Sequence, residues 1–195
     1  MSDYAVTPHL EWQLPDRGKA GVISLIATET ALFSIFVVAY VYYVGKSLTG
    51  PYPNEVLELP IWSTICLLSS SFTVTMAERA LHRESNSNFR LWLAVTIALG
   101  AAFLGGTAVE WHKLIVHDHL TISTNLFGTT YYSLVGLHAS HVTVGLILLL
   151  TVLVAALRGR VMLRNARRFV LLAWYWHFVD VVWVVVFTVV YVYGR

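Results

Sequence analysis

Charge is what this 195-residue chain has least of: Asp, Glu, Lys and Arg make up 12% of it, against 57% hydrophobic residues. With a mean hydropathy of +0.66, that balance excludes an ordinary soluble domain and points to a protein whose surroundings are largely lipid. Cysteine is nearly missing. The one thiol, Cys66, lies in an apolar stretch, which leaves no internal disulfide and no cysteine metal site. There is no basic tract and the net charge is only +2, so nucleic acid is not an expected partner. Internal repeats and long polar linkers are also absent, and a single domain over residues 1–195 is expected. The polar first 19 residues contain Pro8 and Pro15. The apolar run after them is too long for a signal h-region and lacks a clear cleavage site, so no signal peptide is expected.

What is present is a set of five apolar runs, over residues 20–45, 59–81, 89–115, 126–157 and 169–193. Each is long enough to cross a bilayer core as a helix. The 32-residue fourth run is too long for an untilted span and requires tilt or a protruding end. The expected fold is an all-α bundle of five transmembrane helices. Arg17, Lys19, Arg79, Arg83, Arg90, Arg158, Arg160, Arg164, Arg167 and Arg168 would lie on one side; Lys46, Lys113 and Arg195 lie on the other. The positive-inside rule then sets the N-terminus in the cytoplasm and the C-terminus in the periplasm of a bacterial inner membrane.

Ionisable residues inside these runs are expensive, at about 2.5–3.5 kcal/mol for a charged side chain at mid-helix, and need protein partners. Glu29 lies in the first run, His138 and His141 in the fourth, and His177 and Asp180 in the fifth. The i,i+3 spacings of His138 with His141 and of His177 with Asp180 put each pair on one helix face. Counting the helical rise from each end places all five near the bilayer middle. One buried polar layer linking the first, fourth and fifth runs is the expectation. The alternatives for Glu29 are a hydrogen-bonded interhelical contact or a carboxyl that exchanges protons or touches lipid. Small and hydroxyl residues (Ser69 to Ser71, Thr73, Thr75, and the pairs Ala101/Gly105, Ala102/Gly106, Gly136/Ser140 and His141/Gly145) read as close packing. Glu78, Arg79, His82 and Arg83 read as a solvated helix end. His112, His117, Asp118 and His119 crowd one external loop, which is read as solvated, with a weak metal site as the lesser alternative. No HExxH or Glu-x-x-His motif occurs, so no cofactor or metal is expected in this chain.

The stretch Trp174-Tyr175-Trp176-His177-Phe178-Val179-Asp180-Val181-Val182-Trp183 resembles the last-helix signature of subunit III of the haem–copper terminal oxidases, the cytochrome c and quinol oxidases. Ala27-Thr28-Glu29-Thr30-Ala31-Leu32-Phe33 is similar to the family segment with a carbodiimide-reactive glutamate. Phe127-Gly128-Thr129-Thr130-Tyr131-Tyr132 with Gly136-Leu137-His138-Ala139-Ser140-His141-Val142, and Leu99-Gly100 with Glu110-Trp111, complete the likeness across all five runs. The resemblance implies the five-helix form of the family, lacking the two helices that wall a lipid cleft in the seven-helix form. Val170, Val135 and Ala139 stand where the family usually has an acidic residue, a threonine and a glycine. It also implies a non-catalytic subunit. Such a chain packs on the catalytic subunit I, which carries haem and copper, and on other oxidase subunits. It supports oxygen reduction coupled to proton pumping by stabilising that subunit, holding membrane lipid or aiding proton uptake, with Glu29 the leading residue.

Three other readings stand beside this one. An accessory subunit of a nitric oxide reductase shares the same motifs. A small transporter would show repeats and broken helices, whereas Pro60 falls at a run start, where proline is tolerated. A membrane haem enzyme would use His138, His141 and His177.

Overall fold

The computed structural model describes residues 17–159 and 166–194, and among them there are helices and no strands. Helix α1 is Arg17–Tyr43, α2 a single turn at Pro53–Val56, α3 Ile61–His82, α4 Asn86–Val116, α5 Leu126–Leu157 and α6 Ala166–Phe187. The last continues as π-helical turns over Thr188–Tyr193. Pro8 and Pro15 of the polar first stretch, and Arg160, Arg164 and Arg195 of the charge count, lie outside the described residues.

The five apolar runs correspond to the five long helices, with ends that differ by up to three residues when the π-helical turns are counted with the last. Four of these helices, α1, α4, α5 and α6 with its π extension, are long and apolar enough to cross a membrane. The 22 residues of α3 are diluted by a serine and threonine series and end in Glu78, Arg79 and His82. Several of its hydroxyls satisfy themselves locally: Ser70 Oγ donates to Leu67 O at 2.6 Å and Thr75 Oγ1 to Ser71 O at 2.9 Å. This i−3/i−4 back-bonding lets hydroxyl side chains sit in an apolar helix without stranded donors.

Helices α3 and α4, joined by the short link 83–85, form an antiparallel pair with the most extensive contact in the molecule. Helix α6 packs on α1, α3 and α5 and is the most enclosed. Helix α1 is peripheral, burying Phe33 and Tyr40 and exposing most of its circumference. The pivot of the bundle is Trp176. Its ring lies between two glycines: a Cβ on Gly145 of α5 would fall 2.8 Å from the indole, and one on Gly100 of α4 3.0 Å from it. Trp176 Nε1 donates to Ser70 Oγ of α3 at 2.8 Å. Small residues here admit a large ring instead of a neighbouring backbone.

The Ala/Gly pairs of α4 divide. A Cβ on Gly106 would overlap Ser63 Oγ, so this glycine permits the close approach of α3. Ala101, Ala102 and Gly105 face outward, with nothing within 4 Å of a Cβ added at Gly105. Periodicity alone does not say which side of such a stripe meets the chain's own helices. At the opposite end of the bundle from Arg168, Asn125 caps α5 through Gly128 N at 2.8 Å. Its amide nitrogen donates to Thr49 O at 3.0 Å and Pro51 O at 3.1 Å, tying the α1–α3 connection to the start of α5.

Candidate functional site

Three settings hold the five polar residues. Glu29 on α1 meets His141 on α5, with Glu29 Oε2 3.0 Å from His141 Nε2. The other ring nitrogen, Nδ1, lies 2.8 Å from Leu137 O. A carbonyl only accepts, so Nδ1 carries the hydrogen in that bond. The remaining proton between Nε2 and Oε2 is shared by the pair. With it on the carboxyl, both groups are neutral; with it on the imidazole, they form an ion pair. Either way the pair has no net charge, which is how two ionisable groups avoid the cost of isolation in hydrocarbon. Tyr175 Oη of α6 donates to His141 O at 3.1 Å, and Phe33 flanks the imidazole at 5.0 Å between centroids.

This pair looks into a cleft of about 610 Å³ between α1, α5 and α6. Its walls are mostly aliphatic, with Leu25, Leu148 and Leu172 among them, and Arg168 stands near its far end. Arg168 is two residues into α6 and Glu29 twelve residues into α1, so the cleft runs from the arginine-rich end of the bundle to a depth of about 18 Å at 1.5 Å per residue. An aliphatic channel with a guanidinium at its mouth and a carboxyl–imidazole pair at depth has the chemistry to accept an acyl chain and an anionic head group.

The second setting lies on another face of α6. Ser71 Oγ of α3 is 2.8 Å from His177 Nδ1 and donates to Asp180 Oδ2. Asp180 is buried and His177 half-buried. The third is His138, fully buried among aromatic rings: Trp183 at 4.9 Å and 32°, Phe103 at 5.7 Å and edge-on, and Phe33 at 6.4 Å. Neither of its ring nitrogens has a partner among the described residues. The equal depths expected from the sequence therefore do not produce one continuous layer. The helices turn His141 toward α1, and His177 with Asp180 toward α3.

A further polar node lies near the end of the bundle remote from Arg168. Glu110 Oε1 of α4 accepts from Tyr131 Oη of α5 at 3.1 Å and from Tyr191 Oη at 2.9 Å. The π-helical turns put Val190 and Tyr191 inside and leave Val192 and Tyr193 outside. Close by, Lys113 pairs with Glu58. In the sequence Glu110 stands out only through the family resemblance, and the adjacent tyrosines Tyr131-Tyr132 are the signal that points to its partner. Ser71 reads from the sequence as packing, and nothing in the sequence marks Tyr175 or Arg168 as neighbours of Glu29. At the end of α4 and in the segment after it, His112, His117 and His119 are exposed and Asp118 half-buried. Among the described residues no three His, Cys, Asp or Glu side chains come together to hold a metal.

Residues 16–195 match the family model for cytochrome c oxidase subunit III. Over 168 residues the chain is 38% identical to a cytochrome c oxidase subunit 3 of Alkalihalophilus pseudofirmus, covering 85% of this chain and 82% of that protein. A cytochrome c oxidase subunit 3 of Synechocystis is 36% identical, over 91% of this chain and 76% of the relative. The cytochrome bo(3) ubiquinol oxidase subunit 3 of Pseudomonas aeruginosa is 34% identical, over 87% and 81%. The last-helix signature, the Glu29 segment and the two-histidine segment of α5 all fall inside the matched range. The chain is a membrane protein of the respiratory terminal oxidases and belongs to the cytochrome c oxidase subunit III family.

Proposed function

We propose that this chain is a non-catalytic subunit that stabilises the catalytic subunit I of a bacterial haem–copper oxidase and lines a lipid-binding cleft at Glu29 and His141. In this reading all five long helices span the inner membrane, with the N-terminus cytoplasmic and the C-terminus periplasmic. The arginine-rich end near Arg158, Arg167 and Arg168 then faces the cytoplasm, as the positive-inside rule requires. Helix α3 crosses with the help of α4 and α6, which cover its hydroxyl-rich face. Haem and copper reside in the partner, and this chain carries neither.

The observation that carries the reading is the aliphatic cleft leading from Arg168 to the Glu29–His141 pair. An open, apolar-walled cleft suits an acyl chain, and Arg168 suits a phosphate at the cytoplasmic head-group level. A lipid held there would fill the gap between α1 and the α5–α6 pair and keep the peripheral α1 in place. Support for proton uptake is part of the same reading, with the hydrogen-bonded Glu29–His141 pair as the groups that would serve it.

The test is purification of the oxidase with wild-type chain and with Glu29→Ala. The variant complex is expected to keep its haem content and to lose lipid and turnover endurance. Unchanged assembly, unchanged lipid content and unchanged turnover over long assays would overturn the reading.

A further inference from the structure

Across α6 from the cleft, the contact between α3 and α6 has a directed chemistry of its own. Ser71 Oγ has one hydrogen, and it is given to Asp180 Oδ2. The bond to His177 Nδ1 at 2.8 Å must then run the other way, from Nδ1–H to the serine oxygen. The result is an unbroken row, N–H to O–H to carboxylate, on groups from two helices. Asp180 is 3% exposed, and its Oδ1 is buried without a partner among the described residues. Its contact with the row is Ser71 alone.

Beyond the row, polar side chains line the same face of α3 toward the arginine-rich end. Ser71, Thr75, Glu78 and His82 follow one another at i, i+4, i+7 and i+11, one face of α3. His82 Nε2 lies 3.9 Å from Glu78 Oε1, with the His82 side chain 56% exposed and that of Glu78 28% exposed. Among the described residues, Glu78 is the charged group that acts on His177, and Ser71 is the polar group that touches Asp180. Glu29 and His141 stand on the other side of α6, against Tyr175. From α4, Thr96 is committed to Thr73 at 2.8 Å and to Trp92 O.

We propose that Asp180 is a proton-binding site, loaded from the arginine-rich end of the bundle through His177 and Ser71. A proton arriving at His177 Nε2 makes the ring an imidazolium. Its Nδ1–H bond breaks as an O–H bond forms on Ser71, and the original Ser71 O–H bond breaks as one forms on Asp180 Oδ2. Histidine ends neutral as the other tautomer, serine keeps one hydrogen, and the carboxylate becomes a carboxylic acid. One proton enters and one is stored, with no other reactant. This site depends on neither the lipid cleft nor its ligand.

The experiment is infrared hydrogen–deuterium exchange on the purified oxidase complex containing the full chain. The Asp180 carboxyl band is identified as the one lost in Asp180→Asn. In the wild-type complex, held acidic enough for Asp180 to be loaded as the carboxylic acid, this band is expected to shift promptly in deuterated buffer. Ser71→Ala and His177→Phe are expected to slow the shift at least about tenfold, the factor given by 1.36 kcal/mol of added barrier. Ser71→Thr, which keeps a hydroxyl, restores it. A merely structural pin would leave the exchange rate the same in Ser71→Ala, and that result overturns the proposal. So does a wild-type band that fails to exchange over hours, which decides the matter even if a variant does not assemble.

Discussion

Glu29 and His141 meet because one sits on the inward side of a peripheral helix and the other projects from α5 toward it. Their geometry makes a specific distinction between substitutions. A glutamine at position 29 can donate to the His141 nitrogen that faces it, because His141 Nδ1 is already engaged by Leu137 O. Glu29→Gln is therefore expected to keep the α1–α5 contact, whereas Glu29→Ala loses a hydrogen bond worth about 0.6 kcal/mol on average and up to about 1.7 inside a membrane protein. Thermal unfolding of the two variants in detergent checks this, and a glutamine variant as weak as the alanine one would contradict the assigned bond. His138 and His141 show why this pairing was only half legible beforehand. Spacing put both histidines on one face, yet the roughly 60° between i and i+3 positions is enough to send one to a carboxylate and the other into a box of Phe33, Phe103 and Trp183.

Among the elements, α6 decides where everything else stands. Trp176 fills the space left by two glycines on different helices, so those glycines respond differently from others in the chain. Gly145→Ala drives a methyl to 2.8 Å from the indole and is expected to cost about 1–3 kcal/mol by overpacking. Gly105→Ala meets nothing within 4 Å and is expected to be neutral or slightly stabilising, since alanine favours helix by about 1 kcal/mol over glycine. Unfolding midpoints of the two variants compare them directly, and equal destabilisation would refute the placement of α6. Asn125→Ala removes the α5 cap and both ties to the preceding connection, a loss of about 0.5–2 kcal/mol at the cap alone. Faster proteolysis of the 44–60 connection is its readout. Helix positions were legible because long apolar runs cannot be much else. The π-helical end of α6 was not, because its register is set by Tyr191 reaching Glu110, a tertiary contact.

At the scale of the whole molecule, depth could be counted from the sequence but direction could not. Rise per residue put Glu29, His141, His177 and Asp180 at similar levels, and only helix packing decided that they separate into an α1–α5 pair and an α3–α6 pair. The family was legible from its motifs, and residues 16–195 match it. The cleft was not, because Arg168 and Tyr175 join it from a helix whose neighbours periodicity does not name. In the reading proposed here, a bundle that spends its ionisable groups on holding helices together and lining an acyl-chain cleft serves a redox neighbour and does no redox work itself. The most direct test is purification of the full chain from its own membrane in mild detergent, followed by an optical spectrum before and after the subunits are separated. The account predicts haem absorbance in the complex, all of it leaving with a large partner, and a colourless isolated chain. Haem retained by the isolated chain, or a chain that purifies with no haem-bearing partner, would contradict it.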